Sequence, residues 1–205
     1  MSEPFRIAIF ASGGGSNFQA IVDAVKQGRL DVSIKLLVCD RPKAGVISRA
    51  EAAGIPSFIV RAKDYPSRVE LDKDIVRQLD EAGPIDLIVL AGYMRLITDC
   101  LVQPYYGRMI NVHPALLPAF PGLHAVEQAL EYGVKAAGAT VHFVDGGMDT
   151  GPIIAQKTVT VSNEDTIETL TTRIHAVEHE LLPQVIQAIR EGRVQIEGRR
   201  VHVFS

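Results

Sequence analysis

Short apolar runs alternate with amphipathic segments through the first half of the chain. Strands are predicted at residues 7–10, 34–38, 57–60 and 85–90, and helices at residues 17–26, 45–53 and 67–79. The run Ile85-Asp86-Leu87-Ile88-Val89-Leu90 is nearly all apolar, as expected of a strand that is buried on both faces. Strict alternation of strand and helix, with right-handed crossovers, predicts a doubly wound, mostly parallel sheet of the Rossmann-like kind.

The second half of the chain is less regular. A strand at residues 109–112 leads into a proline-rich turn, and helices are predicted at residues 124–132 and 165–190. Two β-rich runs, residues 139–144 and 153–161, are separated only by a short loop, so we expect an antiparallel pair. A hairpin-like tail follows at residues 194–204. We therefore expect an α/β fold in which a single three-layer domain, residues 1–205, carries antiparallel strands in its second half.

Composition places the chain among ordinary globular proteins. Hydrophobic residues make up 47% of the 205 positions and charged residues 22%. The net charge of −3 argues against a nucleic-acid partner, because phosphate contacts need a basic face. No charged segment followed by a long apolar stretch opens the chain, and no apolar run approaches the about 20 residues of a membrane span. We expect a cytoplasmic protein without a membrane partner, with Cys39 and Cys100 as reduced, buried thiols.

A glycine-rich loop, Ser12-Gly13-Gly14-Gly15-Ser16-Asn17, joins the first strand to the first helix. Glycine lets the backbone approach a ligand, and the amino terminus of a helix offers unpaired amides to an anion. Phe18 stands where the third glycine of a dinucleotide fingerprint would lie, and no Gly-Lys-Ser/Thr follows. The loop therefore favours a single phosphate monoester, with Ser16 or Asn17 capping the helix. A turn that binds nothing is the alternative.

Asn111 and His113 mark the end of the strand at residues 109–112, where Pro114 makes the chain leave the sheet. Side chains two positions apart on a strand point to the same face. An amide can donate a hydrogen bond to a developing oxyanion, and an imidazole can donate one or carry a proton. Asp149, in Met148-Asp149-Thr150-Gly151-Pro152, is an acid that can hold His113 protonated. No serine or cysteine is placed as a nucleophile, so the trio indicates direct attack at a carbonyl carbon; structural roles are the alternative.

Other polar residues allow different interpretations. His175-Ala176-Val177-Glu178-His179 formally matches an inverted zinc-peptidase pattern, but ordinary helix polarity explains it as well, and we expect no metal. His142 either faces the site or lies in the core, and His124 is expected to start a helix. Asp40, at the end of the second strand, would suit ribose binding in a nicotinamide-dependent enzyme, an alternative that the missing third glycine weakens.

Four blocks of sequence together resemble the phosphoribosylglycinamide formyltransferases, folate-dependent enzymes of purine synthesis. The blocks are residues 10–17, 90–95, 110–124 and 142–152, in the family's order and with similar spacing. The resemblance implies the formyltransferase fold, with a phosphate- and nucleotide-binding half up to about residue 105 and a catalytic and folate-binding half from about residue 106 to 205. It implies two small-molecule substrates, glycinamide ribonucleotide and 10-formyltetrahydrofolate, no metal, and a monomer or a homodimer.

The same resemblance implies the site residues. Gly15, Ser16 and Asn17 would hold the phosphate of the nucleotide, and Glu178 its ribose. Asn111, His113 and Asp149 would be the catalytic set. The folate would be bound by Asn111 and by a larger group, namely Arg68, Met94, Arg95, Leu96, Ile97, Val144 and Asp145, with the loop that continues to Met148. The chain departs from the family pattern at His175, where an amide-bearing side chain is expected near the phosphate, and at Ala119 and Thr150.

The implied reaction is direct formyl transfer without a covalent enzyme intermediate. The substrate amine attacks the formyl carbon, Asn111 and protonated His113 stabilise the oxyanion, and Asp149 orients His113 and helps to move a proton through water to the departing folate nitrogen. Two other formyl-folate enzymes are alternatives. A formyltransferase acting on methionyl-tRNA should have a basic surface and a larger carboxyl-terminal domain. A formyl-folate hydrolase needs no phosphate loop and is expected to carry an extra amino-terminal domain before its first strand.

Overall fold

The computed structural model describes residues 4–204. Residues 1–3, where the sequence predicts no leader, lie outside the described residues, as does Ser205. The chain divides into two compact units, Met1–Asn111 and Val112–Ser205. The assignment of one domain with halves that divide near residue 105 stays a prediction.

Parallel strands form the sheet of the first unit. The strands are β1 (Arg6–Ala11), β2 (Ser33–Cys39), β3 (Ser57–Ile59), β4 (Leu87–Leu90) and β5 (Met109–His113), the last of which continues into the second unit. Their order is β3-β2-β1-β4-β5, and each neighbouring pair runs parallel. Every residue of β4 is buried, as its apolar sequence predicts.

Helices cover both faces of this sheet. They are α1 (Ser16–Lys26), α2 (Gly45–Ala52), α3 (Arg68–Glu81) and the short α4 (Asp99–Val102). The chain moves outward from β1 to β3 and then returns past β1 to β4, so right-handed crossovers place α1 and α2 on one face and α3 on the other. Phe18 of α1 and Ile75 of α3 are fully buried. The strand order reverses between β1 and β4, which is where sheets of this kind bind ligands.

The second unit combines an antiparallel pair of strands with a long helix. Its elements are α5 (Ala125–Tyr132), β6 (Ala136–Phe143), β7 (Ile153–Thr160), α6 (Ile167–Arg190), β8 (Val194–Glu197) and β9 (Arg200–Val203). β6 and β7 are antiparallel, with a register shift between Val141 and His142. Leu170 of α6 lies in one buried cluster with Ala139 of β6. β8 and β9 form a small hairpin.

These elements confirm the α/β class, with parallel strands in the first half and antiparallel strands in the second. The cap predicted for the first helix is wrong, because Gly15 occupies the cap position with φ of 78° and has no side chain to cap with. Cys39 is a buried free thiol, as predicted, whereas the free thiol of Cys100 is only partly buried. Among residues 4–204, none of the helices combines the length and the apolarity that crossing a membrane requires.

Candidate active site

The acid and the imidazole predicted for catalysis meet in the second unit. Nδ1 of His113 lies 3.4 Å from Oδ2 of Asp149, and the two side chains are only 6% and 11% exposed. The other ring nitrogen of His113, Nε2, lies 2.8 Å from the carbonyl oxygen of Phe120. Both ring nitrogens therefore face oxygen acceptors, an arrangement in which a doubly protonated ring can donate twice.

Asp149 lies between two imidazoles. Its Oδ1 is 3.5 Å from Nε2 of His142, and its Oδ2 accepts a hydrogen bond of 2.7 Å from the backbone N–H of Gly122. Burial by itself would raise the pKa of Asp149. The hydrogen bonds from His142 and Gly122 and the charges of the two imidazoles outweigh burial, and the pKa lies below its ordinary value. Asp149 is therefore ionised at neutral pH.

The turn that carries Asp149 is shaped by its backbone. Asp149 has φ of 54°, in the left-handed region that aspartate tolerates better than most residues. A Cβ at Gly151 would lie 1.7 Å from the carbonyl oxygen of Phe143, so only glycine fits there. The N–H of Phe143 donates to the carbonyl of Pro152 at 2.9 Å. The motif Asp149-Thr150-Gly151-Pro152 is thus the turn that joins β6 to β7 and holds the carboxylate in place.

Val144 and Asp145, two of the predicted folate-binding residues, begin this same loop. Val144 is buried. Asp145 is directed at its own loop, where Oδ1 accepts hydrogen bonds from the N–H of Gly147 at 2.9 Å and from the hydroxyl of Thr150 at 2.6 Å. Glu178, the predicted ribose residue, is only 3% exposed on α6. The ligand roles of these residues stay predictions.

In the first unit, α2 is hydrogen-bonded to the glycine-rich loop and packs against it. The N–H of Val46 donates to the carbonyl of Gly13 at 3.1 Å, and Nε of Arg49 donates to the carbonyl of Gly14 at 2.8 Å. A Cβ at Gly15 would lie 2.6 Å from Cγ2 of Val46, so the loop and the helix are in close contact. With these carbonyl oxygens held by α2, the amides at the start of α1, which begins at Ser16, are the groups that can meet an anion.

The predicted folate segment, residues 94–97, lies in a loop between β4 and α4 that is held at both ends. The hydroxyl of Ser12 accepts a hydrogen bond from the N–H of Met94 at 2.8 Å. At the other end, the N–H of Thr98 donates to Oδ2 of Asp72 at 2.6 Å. Between these two points, Met94 and Leu96 leave 52% and 54% of their surface exposed. Apolar side chains that stay exposed on a tethered loop suit contact with a flat, partly apolar ligand.

Asp72 is a residue of this region that the sequence analysis missed. Its side chain is on α3 and only 3% exposed. Burial raises its pKa, although the hydrogen bonds from Thr98 and the charges of Arg95 and Arg68 oppose that rise. The two arginines predicted to bind folate therefore both lie near this carboxylate. A signal for Asp72 existed, because it interrupts the apolar stripe formed by Leu71, Ile75 and Leu79.

The other candidate residues lie on or next to β5, β6, α5 and α6. Asn111 is partly exposed on β5 and pairs with Leu90 of β4. His142, which the sequence left open, is 2% exposed and contacts Asp149. His124 directly precedes α5, as predicted, and pairs with Glu127. The rings of His175 and His179 stack with centroids 6.3 Å apart. Within residues 4–204, no group of three or more His, Cys, Asp or Glu side chains is arranged to hold a metal ion.

Comparison with known proteins defines the class. A model described as formyl transferase matches residues 5–186, a range that includes all of the predicted site residues. The class is therefore that of the formyl transferases, which the buried pair of Asp149 and His113 suits chemically.

Individual relatives narrow this class. The phosphoribosylglycinamide formyltransferase of Bacillus subtilis (strain 168) is 54% identical over 184 residues, which cover 90% of this chain and 94% of that protein. Glycinamide ribonucleotide transformylase 1 from Symbiobacterium toebii superposes with a TM-score of 0.97 at 44% identity, over 100% of this chain and 96% of that one. The chain belongs to the phosphoribosylglycinamide formyltransferase family, as the four sequence blocks predict. A formyltetrahydrofolate deformylase from Pseudomonas syringae is also similar, with a TM-score of 0.91 at 29% identity, but only 67% of that chain is covered.

Proposed function

We propose that this protein transfers the formyl group of 10-formyltetrahydrofolate to the amine of glycinamide ribonucleotide in purine biosynthesis. The products are formylglycinamide ribonucleotide and tetrahydrofolate. The observation that carries the proposal is the buried Asp149 carboxylate 3.4 Å from Nδ1 of His113, in a chain 54% identical to a phosphoribosylglycinamide formyltransferase. A cytoplasmic location and a monomeric or homodimeric state stay predictions.

The chemistry needs a carbonyl-polarising group and a path for one proton. The amine nitrogen forms a bond to the formyl carbon, the bond from that carbon to the folate nitrogen breaks, and the proton lost by the amine ends on the folate nitrogen. Asn111 donates to the oxyanion through its amide and His113 through its ring. Asp149, whose pKa is lowered, remains anionic and places its carboxylate 3.4 Å from Nδ1 of His113. The protein then needs no covalent intermediate.

Donation by His113 requires a change of partner. Nε2 of His113 lies 2.8 Å from the carbonyl oxygen of Phe120, so the formyl oxygen must replace or share that acceptor. A neutral formyl oxygen gains little from such an exchange. An oxyanion gains more, because a hydrogen bond to a charged acceptor is roughly twice as strong. The exchange therefore favours the transition state over the bound substrate, which is the condition for catalysis.

The binding roles follow the same proposal. Gly15, Ser16 and Asn17 hold the phosphate, which suits a loop whose carbonyl oxygens are engaged by Val46 and Arg49. The ribose is assigned to Glu178. The folate is assigned to Asn111 and to a further set, namely Arg68, Met94, Arg95, Leu96, Ile97, Val144 and Asp145. The exposed apolar side chains of Met94 and Leu96 support this assignment for the loop at residues 94–97.

An absorbance assay for the folate product tests the proposal. Purified protein is incubated with 10-formyltetrahydrofolate, with and without glycinamide ribonucleotide. Product that forms only with the nucleotide supports the transferase. Equal product formation without the nucleotide would show that the protein is a formyl-folate hydrolase, in line with the name of the similar deformylase. No product under either condition refutes formyl transfer.

A further inference from the structure

We infer that Ser12 is a positioning residue that couples the nucleotide-binding loop to the folate-binding loop within the first unit. The inference rests on the proposed function, which assigns the phosphate to residues 15–17 and folate to residues 94–97. Ser12 directly precedes the glycines, and it directly follows β1. The residues that it contacts follow β4, so the link spans the point at which the strand order reverses.

Two hydrogen bonds run in opposite directions between these chain segments. The N–H of Ser12 donates to the carbonyl of Gly92 at 3.0 Å, and the N–H of Met94 donates to the hydroxyl oxygen of Ser12 at 2.8 Å. Ser12 is only 1% exposed, so water does not compete for these groups. Tyr93, between the two partners, packs edge-to-face on Phe10 of β1, with ring centroids 5.3 Å apart. A change in the backbone at Ser12 is therefore transmitted to Met94.

Gly13 and Gly14 connect Ser12 to the proposed phosphate site, and both are hydrogen-bonded to α2. The carbonyls of Gly13 and Gly14 are held by Val46 and Arg49 of α2. A phosphate that binds at the start of α1 restrains this segment further, because the amides must converge on one anion. The ordered segment fixes the orientation of Ser12, and with it the acceptor for Met94.

The near end of the folate loop is held through Gly92 and Tyr93, and beyond them the hydroxyl of Ser12 accepts the N–H of Met94. Met94 and Leu96 are more than half exposed, and the far end is held separately by Asp72 through Thr98. The hydroxyl of Ser12 therefore connects Met94 of the folate loop to the glycine-rich loop that is proposed to bind the nucleotide. Ordering by one ligand reduces the entropy that the second ligand must lose, which produces positive cooperativity. By linkage, each ligand then raises the affinity of the other by the same factor.

Calorimetric titration measures that factor. Glycinamide ribonucleotide is titrated into the protein alone and into the protein saturated with tetrahydrofolate, which has no formyl group to transfer. We expect the nucleotide to bind about 5-fold tighter or more when the folate is present, within the usual range of coupling between sites. In Ser12→Ala, which leaves the N–H of Met94 without its acceptor, we expect the two affinities to become equal.

Ser162→Ala is the matched control, because its hydroxyl also accepts a backbone N–H, that of Glu164, but on the surface of the second unit. It should keep the coupling factor of the unaltered protein. Independent binding of the two ligands to the unaltered protein would overturn the inference while leaving the proposed function intact. An unchanged factor in Ser12→Ala would overturn it equally. A protein that binds neither ligand would refute the proposed function and, with it, this inference.

A measurement on the unaltered protein covers the case in which Ser12→Ala does not fold. Hydrogen exchange at the Met94 amide is followed before and after addition of glycinamide ribonucleotide alone. We expect slower exchange at Met94, although the nucleotide does not occupy the folate loop. Unchanged exchange would contradict the link through Ser12.

Discussion

Asp149 places Oδ2 3.4 Å from Nδ1 of His113 while Oδ1 lies 3.5 Å from Nε2 of His142, so one carboxylate serves two imidazoles. The pKa of Asp149 lies below its ordinary value despite its burial, because His142, the N–H of Gly122 and the charge of His113 favour the ionised form. A fixed negative charge beside His113 is the electrostatic condition on which the proposed chemistry depends.

Replacing the acid tests this condition directly. Asp149→Asn keeps a side chain that tolerates the φ of 54° but removes the charge beside His113. We expect kcat to fall about 100-fold or more, the range of general acid–base effects, with little change in KM for the nucleotide. Steady-state kinetics measures both. Asp165→Asn is the control, since Asp165 also has a lowered pKa, accepts a backbone N–H from Ser162 and pairs with Arg173. A near-normal kcat in Asp149→Asn would refute the assignment.

We expect His142 to influence the acid limb of the pH dependence of kcat/KM. His142→Phe keeps a ring but removes a hydrogen bond and a charge that lower the pKa of Asp149. The pKa of Asp149 then rises, its ionised form is lost at higher pH, and the acid limb of kcat/KM moves upward. His202→Phe, on the small hairpin, removes an imidazole that pairs with Glu197 and should leave the profile in place. An unshifted acid limb in His142→Phe would show that this imidazole does not tune Asp149.

The glycine loop can be tested by adding one carbon. Gly15→Ala places a Cβ 2.6 Å from Cγ2 of Val46, so the loop or α2 must shift. We expect KM for the nucleotide to rise about 10-fold or more, while KM for the folate changes less, because uniform binding of one substrate is lost. Gly28→Ala is matched in backbone, with φ of 69°, but within the described residues no atom lies within 4 Å of its Cβ. Equal changes in both KM values for Gly15→Ala would argue against a phosphate site.

The lowered pKa of Asp149 also predicts a pH dependence of stability. An acid whose pKa is lower in the folded protein stabilises the fold above its unfolded pKa, and this contribution is lost as the pH falls through the folded pKa. The difference in unfolding free energy between the unaltered protein and Asp149→Asn should therefore be larger at about pH 5 than at about pH 3, a range in which unfolded histidines stay protonated. Urea unfolding at the two pH values measures it. A constant difference would mean that the carboxylate is not stabilised in the fold.

Thr140 is expected to matter for folding and not for chemistry. It is fully buried, and its hydroxyl accepts from the N–H of Leu117 at 3.0 Å and donates to the carbonyl of Ala115 at 2.6 Å. Thr140→Val leaves both groups without this partner, so we expect a loss of about 1–3 kcal/mol in urea unfolding. Thr172→Val, exposed on α6, removes a surface hydroxyl and should cost at most about 0.5 kcal/mol. Equal losses of unfolding free energy in the two variants would show that the buried hydroxyl contributes no more to stability than the exposed one.

Much of the fold is readable from sequence because its signals are local. The apolar run of β4 requires burial on both faces, and the two β-rich runs around Asp149 are too close for a helix to join them. The pairing of His113 with Asp149 was a hypothesis from the residue types, with structural roles as the alternative, and the family resemblance implied it. A strand end next to a proline and an acid in a glycine-containing turn are both visible in the sequence.

Most of the residues that the sequence left open, assigned wrongly or missed depend on relations that no local pattern records. His142 lies at the register shift between β6 and β7, so alternation along the strand could not place its ring. Ser12 bonds to backbone groups 80 and 82 positions away, at Gly92 and Met94. Ser16 and Asn17 were expected to cap the first helix, but the close approach of Val46 requires glycine at the cap position. Asp72 alone had a local signal, as an acid within an apolar stripe.

The lack of space for a Cβ between Gly151 and the carbonyl of Phe143 affects how the sequences of related genes are interpreted. Position 151 is constrained by space and position 149 by charge, so a substitution at one does not require a substitution at the other. A related gene that keeps glycine at the first and carries asparagine at the second would encode the same turn without its acid. Under the proposed function, we expect such a gene to encode a member of the fold without formyl transfer, and position 149 distinguishes the two cases.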